Sequence, residues 1–382
     1  MGGYQETIMK TFLKILVGVL LAAGLFTFAF YRTPQERAFA KHLKQAQAGQ
    51  VEAQLAVAQD YLAGQGTKPD AAQALQWYQQ AAAQGSVEAA WELYQLYTLG
   101  KGTTLDEKSA MDYLQIAVQQ NLPQAQYELG NLYAQGKGVV QHNGQALYWY
   151  LQAAQKGSSA AQAKVATLAT QDAVLFDEVN RLVQQQQSAQ GGDGQAMLFL
   201  AQAYQAGQPL LADEALAVEW LKKAWETSNK TLASAAFELY RAYDEGKGVE
   251  ENKETAQEFL AQAAQLSYPL AQYQLGELAY ADSPARLEDA FAWFSNAAAQ
   301  GHSQAQYMTG FMLLQGQGTA KSVPLALRFF EQAAEQENPS AQYVLGQIYL
   351  KGAGVKRSPR KGRAWLERAA QNGSEEAQAW LK

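Results

Sequence analysis

Apolar side chains fall at helical spacing along most of the chain. Between residues 125 and 157, Ala125, Leu129, Leu132 and Tyr133 stand at i, i+4, i+7 and i+8, one face of an α-helix, and Leu147, Tyr150, Leu151 and Ala154 mark the face of a second. Gly136-Lys137-Gly138 separates them, and glycine there lets the chain leave the first helix through positive φ at little steric cost. The pattern predicts a helical hairpin. It recurs, with the turn glycine at positions 64, 100 and 136, a step of 36 residues each time. Alternation of the β type is missing, and alanine and glutamine, both good helix formers, fill the intervals. The 382 residues are therefore expected to be all-α and to form one extended array instead of two or three separate domains.

The first unit opens at Ala53-Gln54-Leu55, turns at Gly64-Gln65-Gly66 and returns through Trp77 and Ala81-Ala82 to Gly85; the second turns at Gly100-Lys101-Gly102 and carries Tyr113 where the first has Trp77. The middle, about residues 161–212, is irregular. Its fourth unit has no G-x-G turn and places Gln185 where the aromatic residue belongs, and its fifth has Gly207-Gln208-Pro209. The glutamines and glycines between 184 and 194 are consistent with a solvated helix end and loop, or with a bend. In the seventh unit Ala281-Asp282-Ser283-Pro284 replaces the turn, and a shorter, stiffer connection is expected because proline supplies no helix-interior N–H.

Small and large residues recur in columns. Gly130, Gly276, Gly310 and Gly346 share one place in the first helix, with Ala58, Ala166 and Ala201 elsewhere, which predicts a close approach of two helices. Tyr94 and Tyr240 take that place in two units and are expected to push neighbours apart. Trp77, Tyr113, Trp149, Trp220, Phe259, Trp293, Phe329 and Trp365 each precede a small or apolar residue by four positions, and this aromatic series is assigned to the hairpin core.

The last unit shows every element together: Ala341, Leu345, Gly346, Tyr349, Gly352, Gly354, Trp365, Ala369, Ala370 and Gly373. This A-x-x-x-L-G-x-x-Y helix, G-x-G turn, second-helix aromatic and Ala-Ala-x-x-Gly ending resembles the Sel1-like repeat, a relative of the tetratricopeptide repeat. The resemblance covers roughly residues 53–377. It implies an α/α solenoid, a right-handed superhelix of about nine helical hairpins. A solenoid's open end needs a cap, and Trp380 and Leu381, within 378–382, are expected to supply it.

Ahead of the array and a helical lead-in at 32–52 runs a charge-free stretch, 15–31, flanked by Lys14 and Arg32. At about 1.5 Å per residue it spans roughly 25 Å, which flanking cations can extend by snorkelling towards a ~30 Å hydrocarbon core. It exceeds the apolar region of a cleavable signal, and Ala38-Phe39-Ala40 lies too far beyond it for a cleavage site. The expectation is a tail at 1–14 and one transmembrane signal anchor at 15–31. Its layout suits a bacterial inner-membrane protein with a periplasmic array. The flanking charges argue the reverse, since more cations follow the stretch than precede it.

Charge and chemistry narrow the function. The net charge is −6; Lys10, Lys14, Arg32, Arg37, Lys41 and Lys44 against Glu6 and Glu36 make the first fifty residues +4, which leaves −10 for the rest. No nucleic-acid partner is expected of so acidic an array. Without cysteine there is no disulfide, thiolate metal site or cysteine nucleophile. The Gly-Lys-Gly turns lack the hydroxyl residue and preceding strand of a phosphate loop. His42, His142 and His302 are scattered and are expected to be solvated, and carboxylates such as Asp106, Glu107, Glu250 and Glu251 sit in turns or at helix starts. No catalytic, cofactor or metal site is expected, and no enzyme.

What remains is binding. Exposed glutamine and tyrosine along a concave face suit a protein partner, and the resemblance implies a scaffold for a cell-envelope, secretion or signalling complex. The alternative is an envelope protein that binds peptidoglycan or another glycan. It is suggested by cysteine-rich Sel1-like proteins linked to β-lactam binding, whose stapling cysteines this chain lacks.

Overall fold

The structure is a computed structural model and describes residues 14–15, 33–282 and 285–381. The expected transmembrane segment lies outside the described residues apart from Ile15, as do Ser283 and Pro284 of the irregular turn. Among the described residues no helix is long and apolar enough to cross a membrane.

Twenty helices fall within the described residues, and no strand does. The chain divides into two compact units between Val179 and Asn180. In the first, α1 (Pro34–Gln47) precedes three hairpins: α2 (Val51–Ala63) with α3 (Ala71–Ala83), α4 (Val87–Leu99) with α5 (Glu107–Gln119), and α6 (Pro123–Gln135) with α7 (Asn143–Gln155). There follow α8 (Ser159–Gln171) and α9 (Ala173–Gln190), separated by Asp172 alone; the division between the units falls inside α9. The second unit continues with α10 (Gly194–Ala206) and α11 (Glu214–Thr227), α12 (Ala233–Glu245) and α13 (Lys253–Gln265), then α14 (Pro269–Ala281) and α15 (Leu287–Ala299). It closes with α16 (Ser303–Gln315) and α17 (Val323–Glu335), α18 (Pro339–Lys351) and α19 (Pro359–Gln371), and the short α20 (Glu375–Leu381).

The hairpins are set by their ends. Gly136 sits at φ 67° and ψ 31°, the left-handed conformation that stops α6, and its N–H closes on the Leu132 carbonyl. Six residues on, the N-cap of the returning helix bonds back to the first: the His142 N–H reaches the Tyr133 carbonyl at 3.0 Å, as the Asp70 N–H reaches Tyr61 at 2.9 Å. Asp70, Asp106, Asp213 and Asn252 accept first-turn N–H groups of α3, α5, α11 and α13. Residues 282–286 join α14 to α15 in a connection shorter than residues 64–70 of the first hairpin, as the sequence implied.

The aromatic series packs against the core, as Trp77, Tyr113, Trp149, Phe329 and Trp365 show, but it is not the most deeply buried position. Trp77, Tyr113, Trp149 and Trp365 are only half-buried, as are the other members of their series. The filled position is the next one: Tyr78 is 1% exposed, Tyr150 2%, Phe294 and Phe330 0%, and Leu114, Leu221, Leu260 and Leu366 are all 0%. The second helix of a hairpin packs on its own first helix and on the next hairpin, so its apolar stripe is wide enough to hold two candidate positions. Trp77 takes the seam, touching the clusters on both sides of the first hairpin.

The glycine column faces this filled position. A Cβ on Gly130, Gly276 or Gly346 would come within 2.6–2.7 Å of Tyr150, Phe294 or Leu366, and one on Gly310 would meet Phe330 at 3.0 Å. In the hairpins that place Tyr94 and Tyr240 in the column, the residue opposite in register is the smaller Leu114 or Leu260, both 0% exposed. The large residue has moved to the other helix. In α20 Ala377 is buried, at 0%, Leu381 is half-buried and Trp380 is 44% exposed.

Candidate partner-binding surface

Five glutamines are built into the core instead of the surface. Gln54, Gln126, Gln272, Gln306 and Gln342 are at most 5% exposed, one turn into their first helices. Gln306 donates to the Ala298 carbonyl at 3.3 Å and accepts from Gln336 at 2.8 Å, and Gln342 repeats this with Ala334 at 3.0 Å and Asn372 at 3.0 Å. Gln306 and Gln342 thus add a second donor to a carbonyl at the C-terminal end of the preceding hairpin, which also accepts a backbone N–H, and tie it to the end of their own; Gln126 departs, donating to the Asn121 side chain at 3.4 Å. The recurring Ala-Gln pair, as at Ala305-Gln306, was the signal for this in the sequence; its amphipathic chemistry was read as surface.

The histidines are also in structural use. His142 and His302 are N-caps whose Nδ1 accepts the N–H of Gln145 and Ala305, each at 3.1 Å. His302 is half-buried against the Tyr273 ring, 4.7 Å between centroids, and burial holds its pKa below the ordinary value. His42 Nδ1 lies 2.8 Å from Asp60 Oδ2, joining α1 to α2 at a place where α16 and α18 bury Met312 and Ile348. Asp106 caps α5, and its hydrogen bonds from Ser109 hold its carboxyl below the usual range. Among the described residues no group of three or more His, Asp or Glu side chains is placed to hold a metal.

What stays partly exposed is the solvent-facing side of the first helices. In the first unit Trp91 and Tyr127 share one register, are half-buried, and stand beside Glu88, Glu92 and Glu128. Tyr94 Oη donates to Glu128 Oε1 at 3.0 Å, linking α4 to α6, while Asn131 donates to Glu128 Oε2 at 3.1 Å and accepts from Tyr150 Oη at 2.9 Å. Burial, reinforced by Glu88, pushes the Glu92 carboxyl above its ordinary value. The second unit carries Tyr273, Tyr307 and Tyr343, half-buried, in the same register, where α12 has the buried Phe237. There Tyr273 Oη donates to Glu277 at 2.5 Å, and burial pushes Glu238 up despite Arg241 at 3.3 Å. Rings with carboxylates between them offer contact area and acceptors for cationic or N–H groups.

An all-helical array of hairpins with this turn, this small-residue column and this glutamine tie is a repeat solenoid. The Sel1 repeat profile matches residues 51–86, 87–122, 123–158, 194–225, 233–268, 269–302, 303–338 and 339–374, so the chain belongs to the Sel1 repeat family. The stretch it passes over contains α8 and α9, where the turn is missing. Similar solved structures include a Sel1 repeat protein from Oxalobacter formigenes, 27% identical over 90% of this chain and 89% of that one, with a TM-score of 0.47. Another is a protective antigen of uropathogenic Escherichia coli strains displaying an SLR fold, 26% identical over 88% of this chain and 80% of that one, with a TM-score of 0.41.

Proposed function

We propose that this chain is a membrane-tethered scaffold of the bacterial cell envelope that holds a partner protein on the concave face of the solenoid, through the solvent-facing side of its first helices, and does no chemistry on it. The observation that carries the reading is the division of labour in the hairpin. Second helices, turn glycines, buried glutamines and histidine caps are occupied with structure, whereas Trp91, Tyr127, Glu88 and Glu92 are left half-buried or exposed with no ion pair among the described residues. Aromatic residues are the usual anchors of such surfaces. The charge-free stretch at 15–31 supports tethering to a membrane, and its layout, a short tail before it and a large polar array after it, supports a periplasmic array against the direction of the flanking charges.

Two measurements test it. Glu88→Lys with Glu92→Lys should abolish capture of a partner identified with the natural chain and leave the helical content unchanged; undiminished capture overturns the surface. A reporter active only after export, fused behind Lys382, should be active; a well-expressed but inactive fusion reverses the topology.

A further inference from the structure

One G-x-G turn stands off the helix before it, and a cavity opens beside it; a Cβ on Gly354, the other second glycine that meets a side chain, would overlap Val323 Cγ1. In three regular turns a Cβ on the second glycine would overlap the first-turn backbone of the preceding second helix: Gly102 against Ala71, Gly248 against Glu214 and Gly318 against Leu287. Gly138 makes no such approach and meets only Met111 Cε, at 3.5 Å. The methionine side chain stands where backbone contact falls elsewhere, and Tyr94 fills the column that is glycine one hairpin later. The result is a cavity of about 410 Å³ between the second and third hairpins of the first unit. Its floor is Tyr94, Ala110, Met111 and Leu132, and Leu105, 61% exposed, stands at its rim.

We propose that this cavity is an anchor site for one large apolar side chain of a peptide segment in the partner protein; this rests on the scaffold reading and names its hot spot. The volume lies within the range of ligand pockets, and methionine floors adapt to the group they receive. Charge at the mouth selects the occupant. Lys108 and Lys137 are exposed there together with Glu107 and Asp112, two cations and two anions with no ion pair among the described residues. A fatty acid or other singly charged amphiphile meets no net opposite charge. A peptide carrying a lysine and a glutamate on either side of its apolar residue matches both pairs.

The test uses the full chain with methyl-labelled methionine and follows the Met111 methyl signal by NMR. The probes are the acetylated, amidated pentapeptide Ser-Lys-Phe-Glu-Ser, the same peptide with alanine for phenylalanine, and dodecanoate. The phenylalanine peptide should shift Met111 saturably, and the alanine peptide should bind at least about tenfold more weakly, as loss of a buried phenyl ring requires. Thr98→Trp, which fills the cavity, should abolish the shift. Leu105→Ser, at an exposed rim position, should weaken binding without disturbing the fold. No Met111 shift, equal shifts from both peptides, or a shift with dodecanoate alone overturns the proposal. If the cavity fails while Glu88→Lys with Glu92→Lys still abolishes capture, the scaffold reading stands without this anchor.

Discussion

Gly130 lies flat against Tyr150: a Cβ on the glycine would sit 2.7 Å from Cε1 and 2.8 Å from Cδ1 of the ring. The hairpin holds one large residue per facing pair, on one helix or the other. Gly130→Ala should therefore destabilise the first unit. Helix propensity favours alanine by about 1 kcal/mol, but overpacking costs about 1–3 kcal/mol, and the ring cannot swing away because Tyr150 is 2% exposed. Adding Tyr150→Leu should recover part of the loss, since Leu114 is the residue opposite Tyr94. Urea denaturation of the single and double variants measures both.

Adjacent core residues of unequal burial give a second contrast. Tyr150→Ala should cost about 3–5 kcal/mol, the range for a large aromatic residue in a close-packed core. Trp149→Ala, at a half-buried seam, should cost clearly less. Because each repeat leans on its neighbours, the Tyr150 variant should also broaden or split the calorimetric transition. Equal losses for the two variants contradict the assignment.

Gln306→Leu should cost about 0.5–1.5 kcal/mol for each hydrogen bond lost, one to the Ala298 carbonyl, which keeps the Gly301 N–H, and one from Gln336. The apolar gain of leucine does not replace those bonds. A variant as stable as the natural chain in urea would mean that the glutamine tie contributes nothing.

His302 links stability to pH. Its cap needs a neutral Nδ1, and burial lowers its folded pKa, with Glu277 opposing. Below the unfolded histidine value of about 6.5 the unfolded chain binds more protons at this site than the folded one. Its contribution is thus complete above that value and is lost as pH falls through the folded pKa. His302→Asn keeps a capping oxygen without a titrating ring, so the slope of stability with pH below about 6.5 should be smaller in the variant. An unchanged slope removes His302 as its source.

Much of the fold was legible because the period is short and the turns announce themselves: Gly64, Gly100 and Gly136 fix hairpin length before any packing is known. The glycine column was also legible, since nothing but a close approach explains Gly130, Gly276, Gly310 and Gly346 at one helical place. What periodicity does not resolve is which of two adjacent apolar residues is the more deeply buried when a helix is covered on two sides: Tyr150 stands on the expected apolar face, and Trp149 beside it packs on the core but is only half-buried. Nor does polarity reveal use. Gln306 looks like surface until the carbonyl that it bonds is seen, and His302 looks solvated until the N–H of Ala305 is found on its ring. The cavity at Met111 had no sequence signal, because its cause is a turn held off a neighbouring helix.

The central claim is that the first-helix face receives the partner. A photo-crosslinking amino acid placed at Tyr127 or Tyr307, and for comparison at the exposed second-helix positions Gln119 and Glu335, tests it in intact cells. Adducts to one and the same protein should form from Tyr127 and Tyr307 and not from Gln119 or Glu335. Adducts from the second-helix positions alone, or from none of the four, would contradict the account.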